Sequence, residues 1–161
     1  VKLYFIFFLS LLLTGCSASS LNPLNWWEDP LAPVFTIKID AASNINPNVD
    51  DLPSPVEVRV YQLADSEAFN QADFIQIYND DQSTLKAGLL LKRYLPSVMP
   101  GGSELEVIPM SPETKFVGVI VAFANYREAN NKVIFESLGY FPQTLSLQLD
   151  GINLTMTGEE D

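Results

Sequence analysis

The chain has 161 residues, a formal net charge of −11, 47% hydrophobic and 18% charged residues, and 11 prolines; that length buries one core, and the composition is that of a folded domain rather than a disordered chain. Its nine basic residues form no run longer than two, so it lacks the positive stripe that phosphates require, which excludes nucleic acid as a partner. There is no histidine and only one cysteine, which removes Ser-His-Asp and Cys-His catalysis, histidine zinc sites, intrachain disulfides and CxxC redox pairs.

At the amino end Lys2 is a one-charge n-region, Leu3 to Leu13 an apolar h-region, and small residues follow. That order predicts a secretory signal peptide over 1–15. The apolar run is too short to cross roughly 30 Å of hydrocarbon as a helix. Leu13-Thr14-Gly15-Cys16 resembles the bacterial lipobox, so Cys16 is expected to carry covalent lipid. Elsewhere in a chain such a cysteine would read as a small buried hydrophobe. Ser17 lacks the aspartate that the lipobox pattern associates with inner-membrane retention, which points to the outer membrane. Residues 16–33 hold Pro23, Pro30 and Pro33 without periodicity and read as a tether. Within it, Trp26-Trp27 suit either lipid headgroups or a protein surface.

From Val34 the pattern has period two, with Phe35, Ile37 and Ile39 on one side, and predicts a first strand. Ala41 to Pro55 is a long loop rich in Asn, Asp and Pro, and loops of that length in compact domains are usually functional or mobile. Val56 to Leu63 alternates again, with Val56, Val58 and Val60 opposite Glu57, Arg59 and Tyr61. Ser66 to Tyr78 has neither proline nor glycine and predicts a helix, capped by Asp65 or Ser66, that turns Phe69, Ala72, Ile75 and Tyr78 to the sheet. Leu85 to Leu91 fits a helical turn or a strand equally.

Glu104 to Ile108 reads as a strand, and Lys115 to Ala124, apolar on both faces, as the central one. Val133 to Leu138 and Leu145 to Leu149 follow, and Asp150-Gly151 turns the chain into Ile152 to Thr157. The sum is a mainly β domain over 34–157, a two-sheet sandwich with one or two short helices, and an acidic tail at 158–161. Pro100-Gly101-Gly102 is a turn rather than a phosphate cradle. Asp50-Asp51 and Asp80-Asp81 lack the spacing of a calcium loop.

Several of these segments, in order, resemble the TssJ family, outer-membrane lipoproteins of bacterial type VI secretion systems. The resemblance rests on the lipobox, on the step Pro53-Ser54-Pro55-Val56-Glu57-Val58-Arg59-Val60-Tyr61-Gln62-Leu63, and on the F-x-x-A-D-F pattern Phe69-Asn70-Gln71-Ala72-Asp73-Phe74 with Ile77-Tyr78 after it. Leu85 to Leu91, Pro100-Gly101 and Phe116 to Ala122 resemble later blocks of the family. Asn125-Tyr126-Arg127-Glu128 departs from the arginine-aspartate step common there.

The resemblance implies a transthyretin-like sandwich without catalytic activity, a metal or a cofactor beyond the lipid on Cys16. Its implied partner is the periplasmic carboxyl-terminal domain of TssM, and through TssM, indirectly, TssL; no small-molecule substrate is implied. The family places a major TssM contact on the loop between the first two strands, here Asn44, Ile45, Asn46, Pro47, Asn48, Val49, Asp50, Asp51 and Leu52. Ile45, Val49 and Leu52 are the apolar members able to serve as anchors. Two other classes compete: a lipoprotein that binds a small ligand inside its sandwich, which requires an apolar pocket, and a lipid-anchored enzyme, which requires clustered perturbed titratable groups.

Overall fold

Alternating side chains set the first strand, β1 (Val34–Ala41), whose Phe35, Ile37 and Ile39 are buried while Lys38 is exposed. The computed structural model describes residues 33–137 and 143–160. Cys16, Ser17, the tether upstream of Pro33, and Leu138 lie outside the described residues. β2 (Val58–Leu63) is followed by three short helices, α1 (Glu67–Gln71), α2 (Phe74–Asn79) and α3 (Asp81–Leu85), and a 3-10 turn at Lys86–Gly88. The remaining elements are β3 (Leu89–Tyr94), β4 (Ser103–Pro109), β5 (Phe116–Val121), β6 (Lys132–Glu136), β7 (Gln143–Asp150) and β8 (Asn153–Glu160).

They form two four-stranded sheets, ordered β4-β1-β7-β8 and β3-β2-β5-β6. All neighbours are antiparallel except β1 and β7, which run parallel. The inner faces meet in one core that includes Phe35, Ile37, Ile39, Val58, Val60, Val119, Leu145 and Leu147. Burial of each such side chain contributes about 1.5–3 kcal/mol, and this is the two-sheet sandwich that the strand pattern predicts.

The second sheet is also covered on its outer face. Tyr61, Leu63 and Ile120 pack there with Phe69, Phe74, Ile77 and Leu85 of the helical layer. β5 is therefore apolar on both faces because it is sandwiched between two layers. Gly118 permits the close approach, since a Cβ on it would stand 2.7 Å from Phe69 Cε2.

The single helix expected over Ser66 to Tyr78 is instead broken at Ala72, whose ψ is 144°. The cause is a strong cap in mid-segment. The Asp73 carboxylate accepts from Gln76 N–H at 2.9 Å, and the Gln76 side chain accepts from Asp73 N–H at 2.9 Å, a capping box that starts a new helix. Asp80 caps α3, accepting from Ser83 N–H at 3.1 Å; hydrogen bonds from the Ser83 side chain and then its backbone hold the Asp80 carboxyl below the usual range. The carbonyls left free where α1 ends are met by the Lys132 ammonium, which donates to Phe69 at 2.7 Å, to Asn70 at 3.2 Å and to Ala72. The break shifts the buried set: Phe69 and Ala72 face the sheet as expected, but Phe74 and Ile77 are buried where Ile75 and Tyr78 were expected, and those two are half-buried.

Boundaries differ as well: the central strand expected over Lys115 to Ala124 runs only from Phe116 to Val121. Val56 lies outside β2 and makes an isolated bridge to Val98. Leu85 to Leu91 is both things its pattern allowed, a helix end and then a strand. The acidic tail expected at 158–161 is strand as far as Glu160, because β8 continues its pairing with β7 to Gln143↔Glu160.

Candidate interaction site

The loop between β1 and β2 is long but hydrogen-bonded throughout. At its root Ala42 N–H donates to Leu149 O at 2.9 Å, and the Asn44 amide donates to Asp150 Oδ1 at 2.8 Å. Asn46 N–H donates to Gly151 O at 2.8 Å. The Asn46 side chain bonds in two directions, donating to Pro55 O at 2.8 Å and accepting from Ala124 N–H at 2.7 Å. Asn46 is 6% exposed with φ 48°, a left-handed conformation that asparagine tolerates better than most residues.

Beyond this clamp the tip closes on itself. Asn48 Oδ1 accepts from Asp50 N–H at 2.9 Å and from Leu52 N–H at 3.0 Å, and Asn48 N–H donates to Leu52 O at 2.9 Å, the side-chain turn that places Asn in such loops. The turn pushes Val49 out to full exposure and leaves Leu52 59% exposed. Asp50 and Asp51 are exposed beside them.

The nine loop residues thus divide. Ile45 is 0% exposed and belongs to the main core, so it holds the loop and cannot anchor a partner; this corrects the expectation drawn from its hydrophobicity. Asn46 is likewise internal. Val49, Asp50, Asp51 and Leu52 form the accessible tip, with Asn44, Pro47 and Asn48 on its flank.

An open hollow of about 680 Å³ lies against that flank, lined by Pro47, Asn48 and Val49 from the loop, Asn125, and the β7–β8 turn with Asp150, Ile152 and Asn153. Sequence reasoning identifies the Asp150-Gly151 turn but not its position beside this loop, which depends on the parallel β1–β7 pairing. Asn46→Ala removes the clamp and leaves buried groups unpaired, so a loss of about 2–4 kcal/mol is expected in denaturant unfolding.

Of the carboxylates set aside in the sequence, Asp80 and Asp81 have structural partners. Asp81 is 6% exposed and pairs with Lys92 at 2.8 Å. Among the described residues no group of three or more His, Cys, Asp or Glu side chains is arranged to hold a metal ion. The buried Tyr61 hydroxyl has no hydrogen-bond partner among the described residues. Burial raises its pKa well above the ordinary value despite the opposing influence of Arg59, so it stays protonated.

The family described as "Type VI secretion lipoprotein, VasD, EvfM, TssJ, VC_A0113" matches residues 33–151. No curated protein matches the sequence. The T6SS lipoprotein TssJ1 from Pseudomonas aeruginosa superposes with a TM-score of 0.75 at 22% identity, over 81% of this chain and 98% of that one. Serratia marcescens Lip, described as a membrane bound component of the type VI secretion system, has a TM-score of 0.65 at 19% identity, over 81% and 100%. A chain in the structure described as the T6SS protein TssM C-terminal domain (869-1107) from EAEC has a TM-score of 0.60 at 24% identity, over 77% and 97%. With a family match over most of its length and this two-sheet fold, the chain belongs to the type VI secretion lipoproteins, the TssJ family.

Proposed function

We propose that this protein links the outer membrane to the periplasmic carboxyl-terminal domain of TssM, with lipid on Cys16 at one end and the β1–β2 loop at the other. The observation that carries the reading is the loop itself: a hydrogen-bonded scaffold that presents Val49 and Leu52 to solvent. A rigid apolar knob loses little conformational entropy on docking, and a few such anchors supply most of the energy of an interface. Asp50 and Asp51 at its rim would set orientation and association rate more than affinity.

The EAEC structure supports the choice of partner. The chain matched there is 97% covered by 77% of this one, so it is much shorter than the 869–1107 span in that structure's description. A structure described by its TssM C-terminal domain thus contains a chain of the present fold. The work done is mechanical linkage rather than catalysis. Each buried acyl methylene contributes about 0.8 kcal/mol and a single chain anchors only marginally, so the several chains of a bacterial lipoprotein give firm attachment. TssL is reached only through TssM.

Envelope fractionation tests the anchor. Cys16→Ala is expected to leave a folded domain in the soluble periplasmic fraction that binds the TssM domain with unchanged affinity while secretion is lost. Normal secretion by that variant would contradict the linkage.

A further inference from the structure

Among the described residues, the outer edge of β4 pairs with no further strand. β4 is the terminal strand of its sheet. Ala41 N–H donates to Gly102 O at 2.9 Å and Met110 N–H to Pro33 O at 2.7 Å, at the two ends of a register that runs from Asp40↔Ser103 to Val34↔Pro109. In an antiparallel ladder hydrogen-bonded pairs alternate. Glu104, Glu106 and Ile108 therefore bond to β1, and the N–H and C=O groups of Ser103, Leu105 and Val107 point to the open edge.

The side chains along this edge follow an unusual pattern. Leu105 is 65% exposed and Val107 56%, on the outer face. Glu104 and Glu106 alternate with them, half-buried toward the other sheet, and among the described residues no cation lies within ion-pair distance of either. Inward-pointing charges protect edges from indiscriminate pairing, while Leu105 and Val107 place two large apolar side chains on the outer face of the same strand. The combination selects. Pairing two copies of β4 antiparallel about Leu105 sets Glu104 opposite Glu106, which is destabilising, whereas a strand bringing cations to those positions is accepted.

We propose that the β4 edge is a strand-addition site for an extended segment of another protein whose side chains alternate apolar and basic. The apolar residues would lie beside Leu105 and Val107, and the basic ones beside Glu104 and Glu106. Main-chain bonds to Ser103, Leu105 and Val107 supply affinity, and the alternation supplies specificity. Pro109, without an N–H, ends the site.

The test uses the chain from residue 16 onward with Cys16→Ser, and as probe a capped heptapeptide of alternating valine and lysine. Saturable binding is expected, with amide exchange at Leu105 and Val107 slowed at least tenfold, and no binding of the matching valine–glutamate peptide. Leu105→Pro leaves every charge in place and removes an N–H that β1 does not use, so it should abolish binding. If that variant does not fold, Leu105→Ser with Val107→Ser should weaken binding at least tenfold. Equal binding by whichever of these variants folds would reduce the effect to charge attraction and overturn the proposal. Unslowed exchange would overturn it, and so would edge protection without peptide that is lost on dilution, the mark of self-pairing. Replacement of the loop tip from Pro47 to Leu52 by a short glycine-serine link, which keeps Ile45 and Asn46 in place, should leave peptide binding unchanged, which separates this result from the TssM reading.

Discussion

Val49→Asp combined with Leu52→Asp is expected to weaken binding of the TssM periplasmic domain at least 100-fold, about 3 kcal/mol, with no loss of thermal stability. Both side chains project from a turn held by main-chain and Asn48 bonds that neither side chain makes. Val49 is fully exposed and Leu52 59% exposed, so charge at these positions costs the free domain little in packing. In a complex the same charges would be desolvated without partners, where the penalty is large. Calorimetric titration beside a thermal unfolding scan separates the two effects. Binding within threefold of the parent would move the contact elsewhere on the domain.

Phe69→Ala is expected to show the opposite separation, a loss of about 3–5 kcal/mol in stability with little change in TssM binding by the folded protein. Phe69 is 1% exposed, lies against Gly118, and packs with Tyr61 at a centroid distance of 6.2 Å and under the Lys132 ammonium at 5.3 Å. Its removal opens a cavity between the helical layer and the second sheet, a large part of the roughly 5–15 kcal/mol that a domain typically holds in reserve. The loop is fixed through Ile45 in the other core cluster, so its presentation does not depend on this layer. Urea unfolding monitored by far-ultraviolet circular dichroism measures the loss. A change below about 1 kcal/mol would mean that the helical layer contributes little to holding the sandwich.

How far the sequence carries differs between the two layers for physical reasons. Period-two alternation is a local property, so Phe35, Ile37 and Ile39 mark β1 and its core face from the residue order alone. The run Lys115 to Ala124 likewise marks a strand covered on both sides, though the strand itself ends at Val121. The helical segment misleads because its breaks come from caps, not from proline or glycine: Asp73 with Gln76, and Asp80 with Ser83, each restart a helix inside what reads as one. The site is half legible. Exposure of Val49 and Leu52 follows from a polar, turn-rich stretch, but burial of Ile45 and Asn46 depends on the β7–β8 turn and on Ala124, which lie about a hundred and about eighty residues away. The open edge of β4 depends on strand order and on bond parity, neither of which is written in any one segment.

The most direct measurement is calorimetric titration of the lipid-free chain with the TssM periplasmic domain from the same organism, with the β1–β2 loop intact and with its tip from Pro47 to Leu52 replaced by a short glycine-serine link. The account predicts saturable binding by the intact chain and its loss in the replaced one, which keeps Asn46 and therefore its clamp. Equal binding by both, or no binding by the intact folded chain, would contradict it.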